Sequence, residues 1–137
     1  MTTVDTLIWA GRSLPDMRSA HWPLRIMLAA FIFYQGISKA PISADDAESF
    51  GVPLLLWGAA AFGEMLAGVL LIAGGVLINN FWGDLMTRVG GLMLAVIVVS
   101  VLVVVYWAPI STIFLANQFH LLLLAGGLYF FARGNAA

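Results

Sequence analysis

The chain has 137 residues, 62% of them hydrophobic and 9% charged, and its mean hydropathy is +1.00. A soluble domain carries about 25% charged and about 45–50% apolar residues, so this composition cannot cover a soluble surface and points to a membrane protein. The net charge of −1 argues against a nucleic-acid or acidic-substrate partner, and the lack of cysteine excludes disulfides, thiolate metal sites and CxxC redox chemistry within the chain.

Residues 1–22 read as a cytoplasmic or interfacial N-terminal segment. Asp5, Arg12, Asp16 and Arg18 punctuate it, and no basic region precedes a continuous apolar run, so a cleavable signal peptide is not expected. Residues 6–10 (TLIWA) fit either a short amphipathic stretch lying in the interface or an ordinary tail.

Four apolar segments follow, at about 23–40, 53–78, 89–108 and 112–131, each long enough to cross a bilayer. Pro41, Gly51 and Pro53 bound the first loop, Asn79, Asn80, Gly83 and Asp84 mark the second, and Pro109 marks the third. Trp22, Trp57, Trp82, Tyr106, Trp107 and Tyr129 fall mostly near segment ends, as an aromatic belt requires. The expected fold is an all-α membrane protein, a four-transmembrane-helix bundle over residues 23–131 followed by a short cytoplasmic tail, 132–137.

Four spans put both termini on one side. That side holds Arg12, Arg18, Arg25, Arg88 and Arg133, whereas the other has Lys39 near a helix end and then Asp45, Asp46 and Glu48. The positive-inside rule therefore places both termini in the cytoplasm, and in a bacterium the multi-pass chain sits in the inner membrane. In the acidic loop, Ser43 followed by Asp45, Asp46 and Glu48 predicts a short N-capped helix on the outer face, ended near Gly51.

Glycines and alanines recur along the segments, including Gly58, Gly63, Gly68, Gly74 and Gly75 in the second, and Gly126 and Gly127 in the fourth. They read as helix-packing positions, since no strand precedes Gly74 and no nucleotide fingerprint is present. Arg88 reads as a headgroup anchor.

Glu64 lies roughly eleven residues into the second segment, on the order of 16 Å deep and near the middle of a roughly 30 Å hydrocarbon core. A carboxylate there is costly unless protonated, paired or in contact with water. Gln35 falls at the same depth, with Lys39 one turn beyond it on the same helix face, and His120 in the outer half of the fourth segment. Two readings stay open for Gln35, Lys39, Glu64 and His120. They form a polar pocket that exchanges protons or hydrogen-bonds a quinone, or Glu64 pairs with Lys39 or Gln35 and locks two helices together. Lys39 can also snorkel to the interface, and His120 can be a packing residue. No metal site is expected, because a single histidine at this end is too few ligands, and no nucleophilic triad spacing is present.

These residues, in this order, resemble the DoxX-like family of small four-helix membrane proteins. The resemblance rests on Arg25 opening the first segment and on residues 34–39 (YQGISK), with Lys39 near the helix end. It continues through residues 51–53 (GVP), Glu64 and Gly68 within 63–74, and Thr87–Arg88 opening the third segment, and covers about residues 22–131. It implies membership of membrane oxidoreductase complexes, the family's name coming from a subunit of a thiosulfate:quinone oxidoreductase. The functional expectation is a small accessory subunit of a larger respiratory or photosynthetic complex, bound to lipids and to bigger subunits, with a quinone or lipid site as an addition and no catalysis of its own. The alternative is a quinone-linked oxidoreductase subunit with Glu64 and Lys39 at the quinone head group. A transporter or proton channel ranks third, because the spans show no broken helices or inverted repeats.

Overall fold

The computed structural model describes residues 2–12 and 18–136. Asp16, counted above in the N-terminal segment, lies outside the described residues. The chain is all-helical, with no strand among the described residues. In chain order the helices are α1 (Thr3–Arg12), α2 (His21–Ser38), α3 (Ala44–Ser49), α4 (Leu54–Val76), α5 (Phe81–Val104), α6 (Ile110–Ala116) and α7 (Gln118–Arg133), followed by a 3₁₀ turn at Gly134–Ala136.

The expected short helix is α3. Ser43 is its N-cap, its hydroxyl accepting from the Asp46 amide at 3.2 Å, with Asp45 and Asp46 in the first turn. α5 begins eight residues before the apolar run of its segment, because the Asn80 side chain caps it by accepting from the Trp82 and Gly83 amides. The loop from α4 to α5 is correspondingly short.

α4 and α5 are long and apolar enough, by length and composition, to cross a membrane. α6 and α7 supply a third candidate if taken as one broken span. The expectation of a single continuous helix over 112–131 is corrected here. The chain breaks at Asn117, whose backbone (φ −121°, ψ 36°) leaves the helical region, and the two pieces meet at 93°. An asparagine competes for backbone hydrogen bonds and so suits a break better than a helix interior. α2 carries His21, Arg25 and Gln35 and is less apolar than α4 or α5.

The helices α2, α4, α5 and α7 run antiparallel in sequence, with α4 against α2, α5 against α4 and α7 against α5. Leu28, Ala29 and Ile32 of α2, Ala67 and Leu71 of α4, Leu94, Val98 and Leu102 of α5, and Leu123 and Phe130 of α7 fill the centre. Lipid tails are as apolar as these side chains, so contact distance decides helix packing in a bilayer. The α5–α7 seam shows how close the backbones come: a Cβ on Gly91 would stand 2.6 Å from the Gly127 carbonyl oxygen. Large apolar side chains cover the outside, among them Leu55, Phe62, Leu66 and Val69 of α4 and Val96, Val99 and Val103 of α5. α1 has no buried residue, and Val4, Leu7, Ile8 and Trp9 are all exposed.

Candidate functional site

Two polar clusters interrupt this apolar interior, one at each end. The first is built from the C-terminal turn of α2 and the middle of α4. Lys39 turns inward, and its ammonium meets Glu64 Oε2 at 2.6 Å while donating to the Gln35 carbonyl at 3.2 Å. It also stands 5.2 Å from the centroid of the Trp57 ring, which stacks on Phe50 at 5.0 Å. Lys39 therefore does not snorkel outward. The Glu64 side chain is 5% exposed and that of Lys39 13%, so the pair is largely shielded from solvent and bilayer alike.

Beside the pair lies a cavity of about 360 Å³. Gln35, Lys39, Glu64 and His120 all line it, with Ser38, Asp46, Trp57 and Tyr106 completing its polar and aromatic wall. All four residues singled out in the sequence thus face one space, although the ion pair joins just two of them. Gln35 contributes its backbone carbonyl to Lys39, and no hydrogen bond engages its side-chain amide among the described residues. His120 lies 5.2 Å, ring to ring, from Tyr106 and makes no hydrogen bond to the pair. Ser100 stands outside the cavity, its hydroxyl donating to the Val96 carbonyl at 2.8 Å.

The second cluster gathers at the opposite end around Arg25, which is fully buried. Its Nη1 donates to the Leu71 carbonyl at 2.6 Å and to Thr87 Oγ1 at 2.9 Å, its Nη2 to Asn135 Oδ1 at 3.1 Å, and its Nε to His21 Nδ1 at 3.3 Å. The guanidinium lies 4.6 Å over the Phe130 ring. Every one of these partners is neutral. The planar fork of arginine suits this, because its five fixed N–H bonds reach several acceptors at once and its charge is weakly hydrated. Gly75 makes the room, since a Cβ there would lie 2.7 Å from Arg25 Cδ.

Asn135 closes this cluster from beyond α7. Its Oδ1 also accepts from Thr87 Oγ1 at 2.7 Å, its Nδ2 donates to the Gly74 carbonyl at 2.9 Å, and its amide donates to Asp84 Oδ1 at 2.8 Å. Asp84 in turn pairs with Arg88 at 2.7 Å. Arg88, read above as a headgroup anchor, donates to the carbonyls of Phe131 and Ala132 and so ties α5 to the end of α7. His21, ahead of the first apolar segment, is buried with no partner for Nε2 among the described residues. Burial, and after it the charge of Arg25, holds its imidazole below the usual histidine range.

Sequence reasoning treated Arg25 as an orientation signal and overlooked Asn135. A signal for Arg25 was present: it shares one helical stripe with Leu28, Ala29, Ile32 and Gly36, the buried face of α2. Nothing local marks Asn135, whose partners are 48 to 110 residues away. No group of three or more metal-ligating side chains occurs among the described residues. Comparison of the chain with models of protein families, with curated proteins and with solved structures gave no match.

Proposed function

We propose that this chain is a small integral-membrane accessory subunit of a larger energy-transducing complex in a bacterial inner membrane. In this reading the apolar run 23–40, α4, α5 and the α6–α7 pair are four spans, His21 lies at the cytoplasmic face ahead of the first, and both termini are cytoplasmic. The observation that carries it is the Lys39–Glu64 pair, which commits the deepest charges of the chain to joining α2 and α4. The Arg25 cluster supports it in the same way, linking α2, α4, α5 and the C-terminal turn. The run 23–40 would cover about 27 Å as a helix, near the roughly 30 Å hydrocarbon thickness, and Arg25 and Lys39 within it turn inward. Arg18, Arg25, Arg88 and Arg133 mark the end that carries the termini, and the acidic α3 marks the other.

Solubilising native membranes in mild detergent tests this reading. The chain should migrate with a larger redox complex and leave it only under harsher extraction. A stable monomer that co-migrates with nothing would overturn it.

The 360 Å³ cavity favours a second reading, a quinone-linked oxidoreductase subunit with Glu64 and Lys39 beside the head group, as in the resemblance to DoxX-like proteins. Glu64→Gln should then lower quinone turnover and leave assembly intact. If the substitution changes assembly alone, this reading fails. The break at Asn117 removes one argument against a transporter, but neither polar cluster forms a path from one end to the other.

A further inference from the structure

A second hollow adjoins the polar cavity. It is a groove of about 610 Å³ between α4 and α5, opening on the outside of the bundle. Ala59, Ala60 and Gly63 create it by withholding side chains, and Leu92, Val96 and Ile97 form its opposite bank. Its one hydroxyl, Ser100, already bonds to its own helix. Lys39, Trp57, Ile97, Val101 and Val105 face both spaces, so groove and cavity meet along a shared wall.

Both volumes lie within the range of about 300–1,000 Å³ typical of small-molecule sites. Together they set an apolar channel beside a polar chamber, the division an amphiphile has. The charges in the chamber select the head. Lys39 is neutralised by Glu64, and Asp46 adds a second carboxylate, so a phosphate meets net negative charge. A cationic head finds its own partners already taken: Lys39 holds both the Glu64 carboxylate and the face of Trp57, and Asp46 accepts from the Ser43 hydroxyl. What the chamber offers is neutral hydrogen bonding: the Gln35 amide, the Tyr106 hydroxyl and the His120 imidazole, none of which makes a hydrogen bond among the described residues. The Trp57 indole N–H, in the shared wall, is buried without an acceptor among the described residues. Such a group is costly to leave unpaired and gains from an oxygen brought beside it.

We infer that groove and cavity form one binding site for an amphiphile with an uncharged, oxygen-bearing head and a linear apolar tail. The head occupies the chamber beside Lys39–Glu64 and the tail lies along Ala59, Ala60 and Gly63. This rests on the membrane reading above and narrows the ligand class of that site. A quinone-type ring and an acylglycerol both have this chemistry.

The test uses the full chain in phosphatidylcholine nanodiscs, with binding followed by thermal stabilisation. Five probes share a ten-carbon tail: decylbenzoquinone, monodecanoylglycerol, decyl phosphate, decyltrimethylammonium and decane. At least one neutral-headed probe should bind saturably and about tenfold or more tighter than the two charged probes and decane, the difference one or two good hydrogen bonds make. Preference between the two neutral probes identifies the source. Ala60→Phe, which fills the groove, should weaken binding about tenfold, and Ala59→Phe serves if that variant does not fold. Trp57→Phe, which keeps the ring and removes the N–H, should weaken it severalfold. Equal binding of decane, tighter binding of a charged probe, no saturable binding of either neutral probe, or indifference to the groove-filling variants would each overturn the proposal. Failure of the membrane reading is distinguishable, because the chain would then be released from native membranes by alkaline carbonate.

Discussion

Lys39 and Glu64, 25 residues apart in sequence, meet at 2.6 Å inside the bundle and join the end of α2 to the middle of α4. Neither side chain has a second ion-pair partner among the described residues. Removing one member leaves the other as an uncompensated charge in a poorly solvated place, whereas removing both leaves a gap that apolar groups can fill.

Lys39→Met or Glu64→Leu alone should therefore destabilise the protein by about 3–5 kcal/mol. The double variant should recover a large part of that loss. Thermal unfolding of all four proteins in one detergent measures the coupling. Additive single and double losses would show that the pair does not act as a unit.

Arg25 sets a sharper geometric demand. It satisfies a backbone carbonyl, a hydroxyl, an amide oxygen and an imidazole nitrogen from different directions. Lysine offers a point charge on a flexible stem and cannot fork across them. Arg25→Lys should accordingly be nearly as damaging as Arg25→Met, each costing several kcal/mol, by analogy with breaking other buried charge networks. Gly75→Ala should mimic part of the loss by pressing on Arg25 Cδ. Size-exclusion monodispersity and melting temperature check both. A well-behaved Arg25→Lys protein would contradict the fork geometry.

Much of this architecture was visible in the chain because bilayer physics writes it locally. The extent of α4, the N-capped α3 and the depth match of Gln35 and Glu64, with Lys39 one turn beyond, follow from composition, caps and helical rise. The break at Asn117 was not visible, because an asparagine after a run of apolar residues looks the same in a bent helix as in a straight one. Arg25 was misjudged for a different reason. A basic residue near a span end fits the positive-inside rule so well that its place on the buried stripe went unweighed. The Asn135 contacts depend on where α7 ends relative to α4 and α5, which no local pattern encodes.

Asn135 bonds to Arg25, Thr87 and Gly74 together. Asn135→Ala should cost about 1–3 kcal/mol through acceptors and donors left unpaired, and Asn135→Asp should not rescue it. The aspartate loses the bond to the Gly74 carbonyl and places a second carboxylate beside Asp84, whose Oδ1 takes the residue 135 amide. Comparing melting temperatures of the two variants decides this. An Asn135→Asp protein more stable than wild type would mean that Arg25 lacks a counter-charge more than it needs this amide.

His21 gives the bundle a dependence on pH. Its Nδ1 accepts from Arg25 Nε, which fixes the neutral tautomer with its proton on Nε2. Protonation would put a second N–H against that donor and a second positive charge beside the guanidinium, so the folded state binds the proton less readily than the unfolded chain. The unfolded state then holds more protons below its own pKa of about 6.5, and by linkage stability falls as pH drops through that value. The contribution is fully present above about pH 6.5 and is lost progressively as pH falls toward the lower folded-state value. His21→Gln keeps an acceptor for Arg25 and cannot titrate. Its melting temperature between pH 7.5 and 5 should fall less than that of the parent protein. Parallel curves for the two would show that His21 carries no part of the acid sensitivity.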